Sequence, residues 1–191
     1  IRAYIDKYGG VADTWFQDGG VTHEQIHQTF PEATKLEQEA QKLAVEWMKQ
    51  FWELGPERPF QTDSLEAGLA KTKFVTTQMW GSKIGKGGKF NEHEHWPHTF
   101  AFWYYVGSSD VPCTFTEMDL KIEAEEGKLN ICRGHLEHWC GHNDTTKEKY
   151  RYVVAGNMSA IPDGRVVTPD DHDTALLEYL CKDTITKNKD W

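Results

Sequence analysis

No apolar run in this chain approaches membrane-spanning length, and the longest aromatic stretch, Phe100–Val106, is short enough to be a core strand. Cysteine is scarce. The four thiols, Cys113, Cys132, Cys140 and Cys181, form no C-x-x-C pair, so neither a zinc ribbon nor a disulfide framework is indicated. We therefore expect reduced thiols and a cytoplasmic setting. Basic charge is also short: 21 Lys and Arg stand against 30 Asp and Glu, a net charge of -9. That balance disfavours nucleic acid and anionic membranes as partners. Lys83, Lys86 and Lys89 punctuate a Gly-rich run, but the G-x-x-x-x-G-K-[ST] spacing of a phosphate-binding loop is missing. No internal repeat is present.

What the chain does have is aromatic content, with eight Trp, and histidine in one place. Six of the nine histidines fall between His93 and His142. The length of 191 residues suits one domain with a sizeable core. We divide it into an N-terminal helical brace over 1–72, a β core over 73–160 and a C-terminal extension over 161–191. In the brace, Leu36, Ala40, Leu43, Trp47 and Phe51 recur at helical spacing, after a capping-box pattern at Thr29-Phe30-Pro31-Glu32 and before Gly55-Pro56. This helix should pack on the outside of a sheet. A second helix is expected from Asp173 or Thr174 through Cys181. His23-Glu24-Gln25-Ile26-His27 matches H-E-x-x-H, but it is squeezed between Gly19-Gly20 and Pro31, and we read it as an accidental match on a surface turn.

The core reads as short strands broken by Gly turns: 74–80, the histidine-bearing stretch near 93, 100–106, 114–122, 128–132, 137–140 and 150–158. Residues 81–88 read as a turn. Many short strands with such turns predict a mainly β fold, a sandwich or jelly roll, with flanking α-helices.

Alternate residues of a strand share a face, so a strand through His93 and His95 would project both imidazoles to one side. Glu92 and Glu94 would then face the other way. A third ligand from a distant strand would complete a facial site for Fe, Zn, Ni, Cu or Mn, and His138 is our choice for it. His98, His135 and His142 fit no ligand spacing and are read as supporting or surface residues. In 150–158 the odd positions Arg151, Val153, Ala155 and Asn157 share a face. An Arg there is costly unless it meets an anion, and a dicarboxylate would supply one. A surface salt bridge is the alternative.

Taken together, Trp80, Lys86-Gly87-Gly88, His93-x-His95, Tyr104-Tyr105-Val106, Gly127, His138 and Arg151 with Asn157 resemble a 2-oxoglutarate/Fe(II) oxygenase family of marine bacteria and their phages. The resemblance spans about residues 75–158. It implies a double-stranded β-helix, Fe(II) at His93, His95 and His138, and 2-oxoglutarate with its far carboxylate on Arg151. Asn157, Tyr104, Tyr105 and Trp80 are implied as supporting or cosubstrate-binding residues. The implied activity is a dioxygenase coupling oxidative decarboxylation of 2-oxoglutarate to attack on a substrate C–H bond, with hydroxylation the default outcome. The substrate, a small molecule or a peptide, is not implied. Two positions depart from the pattern. His95 stands where the wider superfamily has a carboxylate, and Val153 stands at the family's Ser.

The same stretch is partly similar to the cupin pattern, through Gly87, His93-x-His95, Gly127 and His138, with Phe100 at the cupin Glu. That resemblance implies a three-His dioxygenase without 2-oxoglutarate. A third reading is a non-catalytic jelly roll, for instance a virion component, with Trp96, Trp103 and Trp139 forming an interface.

Overall fold

Strand pairing in this molecule follows one rule. In the computed structural model, which describes residues 1–9, 19–54, 64–143 and 150–162, β2 (Thr72–Ile84) pairs with β9 (Arg151–Pro162), and β3 (Phe90–His93) with β8 (His138–Cys140). Inside these, β4 (Phe100–Tyr105) pairs with β7 (Leu129–Arg133), and β5 (Ser109–Phe115) with β6 (Leu120–Ala124). The chain is thus one long antiparallel hairpin wound over itself. The winding places β2, β9, β4 and β7 in one sheet, edged by β1 (Gly19–Val21), and β3, β8, β5 and β6 in the other. This wiring is the double-stranded β-helix, the jelly roll of the cupin class, and the mainly β expectation holds.

The tip of the hairpin lies between β5 and β6, where Asp119 adopts φ +48°, a conformation that Asp tolerates better than most side chains. Residues 114–122, expected as one strand, are therefore two strands and their turn. Alternation through Thr116, Met118, Leu120 and Ile122 cannot reveal this, because a short turn need not interrupt a polar–apolar pattern.

A second difference lies in β2. It runs without a break to Ile84, so residues 81–84 are strand and not turn. Gly81 sits where a Cβ would be 2.5 Å from Ile5 Cγ1, so its role is to let α1 (Arg2–Tyr8) approach the sheet. Between Thr76 and Gln78 the register with β9 slips by one residue, leaving Thr77 as a bulge. From Phe74 onward, strict alternation would turn Gln78 and Trp80 toward the helices. The bulge turns them to the inner face instead, and Met79 packs with the helix layer.

Helices cover the outer face of the five-stranded sheet. On α3 (Pro31–Leu54) the buried positions are Ala33, Leu36, Ala40, Ala44 and Met48, packed on Phe100, Phe102, Val154 and Met158. The expected stripe is thus rotated: Ala44 and Met48 sit at its centre, and Leu43, Trp47 and Phe51 at its edge. Trp47 crosses the Phe100 ring edge-on at 5.2 Å, and the Arg133 guanidinium lies over the rings of Trp47 and Phe51. Small residues under the helix axis let it approach the sheet closely. Thr29 belongs to α2 (Ile26–Thr29) and turns its hydroxyl to Ile26 O, Tyr4 and His23, so it does not cap α3. A short helix, α4 (Leu65–Ala70), leads into β2, capped by Ser64 Oγ accepting from Ala67 N. No described helix is long and apolar enough to cross a membrane. The expected helix from 173 to 181, with Cys181, lies outside the described residues.

Candidate metal centre

The register of β3 and β8 brings the first two histidines together. His93 is the last residue of β3 and pairs directly with His138, the first residue of β8. His95 lies beyond the strand, so alternation along a continuous strand is not what places it. Its backbone N–H donates to Gly134 O at 2.6 Å, and Gly134 N donates to Thr99 O at 3.0 Å. A Cβ on Gly134 would collide with the His98 carbonyl, so only glycine lets the β7–β8 loop clamp residues 95–99 this closely.

Within this frame His93, His95 and His138 each offer a ring nitrogen, and the three atoms lie within 4.8 Å of one another. The ring centroids are 4.6–5.1 Å apart. His93 Nδ1 donates to Asn91 O at 2.7 Å and His138 Nδ1 to Leu136 O at 2.9 Å. Both bonds leave Nε2 unprotonated and free to bind a cation. Burial lowers the pKa of His95 to about 3, helped by the neighbouring His138 and His93. Burial also lowers that of His138 to about 4. Both imidazoles are therefore neutral near pH 7, the form that binds metal. A lone cluster of three imidazoles with converging lone pairs suits a divalent first-row cation.

The triad shares a cavity between the sheets with residues of both. Its lining includes Trp80, Phe90, Trp103, Cys113, Cys140, Arg151, Val153 and Ala155. Trp103 is stacked on His138 at 5.9 Å, and Phe115 approaches the same ring at 5.4 Å. Trp80 is stacked on His95 at 6.3 Å. Trp103 is thus an internal wall and no part of a surface, while Trp96 and Trp139 are exposed. Arg151, in the same lining, is only 4% exposed. Its Nη2 donates to Cys140 Sγ at 3.3 Å, its guanidinium lies 5.5 Å over the Tyr105 ring, and its Nε has no partner. Among the described residues no carboxylate pairs with it. The surface salt bridge considered from the sequence is not what this side chain makes.

Cys113 and Cys140 face each other across β5 and β8. The Cys140 thiol is pulled down in pKa by the hydrogen bond from Cys113 and by Arg151, and Cys113 is pushed up in response. Burial keeps the Tyr105 hydroxyl protonated, and it too has no partner. Cys113, Cys132 and Cys140 are all free and buried.

The remaining sequence-predicted residues divide by face. Asn157 is buried beside His95 and donates from Nδ2 to Gln78 Oε1 at 2.7 Å. Tyr104 is on the other face of β4, packed in the helix layer, and does not reach the cavity. His98 sits behind the triad, with Nδ1 3.2 Å from Thr77 Oγ1. His142 donates to Gly87 O from an exposed position. The H-E-x-x-H match starts on a surface turn as expected, with His23 and Glu24 exposed, but ends inside α2. His27 is buried, and His23 Nε2 lies 3.1 Å from the Tyr4 hydroxyl. The two belong to no three-ligand group among the described residues. Sequence reasoning missed Gly134, Cys140 and Gln78. Gly134, directly after β7 and beside His135, is the one with a local signal.

No family model matches the chain, and no curated protein matches it. Among solved structures it is similar to the viral collagen prolyl hydroxylase of Paramecium bursaria Chlorella virus-1, solved as its 2OG complex, with a TM-score of 0.48, 10% identity, and coverage of 82% of this chain and 87% of that one. It is also similar to a cupin superfamily protein of Desulfitobacterium hafniense, with a TM-score of 0.34, 13% identity, and coverage of 52% and 72%. A cupin domain of Bordetella pertussis gives a TM-score of 0.35, 11% identity, and coverage of 47% and 94%.

Proposed function

We propose that this protein is a non-haem Fe(II) oxygenase that uses 2-oxoglutarate as cosubstrate. The observation that carries this reading is Arg151: a buried guanidinium with no carboxylate partner among the described residues, lining the same cavity as the three imidazoles. A buried cation without an anion is costly, so the cavity is built for an anion that comes from outside. Arg151 contacts Cys140, two residues along β8 from His138, which is about 7 Å of strand. That separation suits a short dicarboxylate with one end at the triad and the other at the guanidinium.

His93, His95 and His138 would hold the Fe(II). Three neutral ligands leave the charge of a divalent cation uncompensated, which favours a dianionic co-ligand over a neutral one. When bound, the iron and 2-oxoglutarate would supply the oxidising power, at a substrate C–H bond. The residues of the chain do the rest. Arg151 would orient the cosubstrate by its far carboxylate, with the protonated Tyr105 hydroxyl beside it. Val153, Ala155, Trp103 and Phe90 line the cavity with apolar surface, excluding water from the reacting centre. The prime substrate would be a small molecule or a peptide segment that reaches the triad.

The test is an anaerobic titration of Fe(II)-loaded protein with 2-oxoglutarate, followed by visible absorption. We expect the metal-to-ligand charge-transfer band of chelated 2-oxoglutarate, weakened in Arg151→Ala. Bound iron with no band would overturn the reading, and a three-His dioxygenase without 2-oxoglutarate would take its place.

A further inference from the structure

The three described thiols are unequally placed. Cys132 lies on β7 opposite Ala101, in the five-stranded sheet, and is not among the residues that line the cavity. Cys113 on β5 and Cys140 on β8 do line it, and the two are direct register partners. Partners in an antiparallel pair have Cα atoms roughly 4.5–5.5 Å apart and side chains on the same face. A disulfide needs a Cα separation of roughly 4.4–6.8 Å. The pairing of β5 with β8 therefore holds these two thiols at bridging distance, both turned inward.

Two further observations set the pair apart from cysteines that only fill a core. A buried thiol that serves as a small apolar side chain needs nothing but packing. Cys140 Sγ instead accepts a hydrogen bond from Nη2 of the buried Arg151 at 3.3 Å, which fixes where the sulfur points. The second observation is access. Both thiols are buried, so a reagent cannot meet them from the outer surface. The cavity supplies a route, because Phe90, His93 and His95 belong to the same lining and are partly exposed. A small neutral oxidant fits that route.

We propose that Cys113 and Cys140 form a redox-active dithiol, closed to a disulfide by a peroxide that enters the cavity. One sulfur attacks a peroxide oxygen, the O–O bond breaks and a water leaves, giving a sulfenic acid. The second sulfur attacks the first, the S–O bond breaks and a second water leaves. The two thiols give up two hydrogens and two electrons, and one hydrogen peroxide becomes two waters. The bridge ties β5 to β8 two residues from His138, and it replaces the thiol that Arg151 contacts. This site does not depend on the metal-centre reading, because strand pairing places the thiols whether or not an ion is bound.

The test uses the full chain, reduced, kept metal-free with a chelator, and treated with hydrogen peroxide before acid quenching, denaturation and mass analysis. The wild type should lose about 2 Da, and two of its four thiols should resist a maleimide until dithiothreitol is added. Peptide maps without reductant should join Cys113 to Cys140 and leave Cys132 reduced. In Cys113→Ala and in Cys140→Ala the loss should vanish. The remaining sulfur should instead gain oxygen, about 16 Da for each atom, because its sulfenic acid has no thiol to meet. Either variant serves if the other does not fold, and the wild-type map stands without them. Three results would overturn the dithiol: oxygen gained at Cys113 or Cys140 of the wild type with no bridge, both thiols still reduced at peroxide levels that oxidise the unfolded chain, or a bridge from Cys181 in place of the pair.

Discussion

The two faces of β4 and β9 have opposite chemistry. Outward, Phe100, Phe102, Val154 and Met158 meet the small-residue face of α3, an apolar cluster in which every buried side chain touches another. Inward, the same strands present Trp103, Tyr105, Arg151 and Asn157, and each of these carries a buried polar atom with no partner: Nε1, the hydroxyl, Nε and Oδ1. A protein interior ordinarily satisfies such atoms. The inner face has an apolar cluster too, around Trp103, Tyr105, Phe115 and Val153, so both faces hold the fold together, but the inner one in addition keeps hydrogen-bonding capacity in reserve.

The largest expected effects come from breaking the outer face. Phe100 is fully buried and packs on Trp47 and Phe74, so Phe100→Ala should cost about 3–5 kcal/mol in chemical denaturation. Co(II) affinity per folded molecule should stay unchanged. If metal affinity falls in parallel, the two faces are not separable.

On the inner face the pattern should reverse. His138→Ala should lower metal affinity by more than about 100-fold while changing metal-free stability far less than Phe100→Ala does. Arg151→Met should go further in this direction. Removing a buried cation that lacks a carboxylate partner should leave stability unchanged or raise it, measured by thermal unfolding, while anion binding is lost. A strong destabilisation by Arg151→Met would mean that the guanidinium is structural.

The smallest effect is in pH dependence. His95 and His138 have folded pKa values of about 3 and about 4, below the ordinary 6.5. Between those values and 6.5 the unfolded chain binds protons that the folded chain refuses. The stabilisation is full above about pH 6.5 and is lost as pH falls toward 4. Metal-free protein should therefore unfold more easily over this window, and His95→Phe should flatten the slope. An equal slope in wild type and variant would place the titrating groups elsewhere.

Much of this division was legible in the sequence. Alternation along 150–158 put Arg151, Val153, Ala155 and Asn157 on one face, and they are on the inner one. His93 was readable from the His-x-His spacing and His138 as a third histidine on a distant short strand, and the structure makes the two register partners. Other features were hidden for physical reasons. His95 is placed by a backbone clamp from Gly134, 39 residues away, and not by strand period. Tyr104 and Tyr105 are adjacent, so only the phase of β4, set by its partners, decides which one faces inward, against Arg151. The bulge at Thr77 inverts the alternation of β2 with no Gly or Pro to mark it. The hydrogen bonds of Gln78 to Glu24 and of Asn157 to Gln78 join residues 54 and 79 positions apart, and no local pattern can announce them.

The central claim is that the triad and Arg151 act together on one dicarboxylate. Anaerobic calorimetric titration of 2-oxoglutarate into protein with and without Fe(II), for wild type beside Arg151→Met, tests this most directly. The account predicts binding to the iron-loaded wild type, and a loss of at least about 10-fold when either the iron or the guanidinium is removed. Equal affinity in all four samples would contradict it.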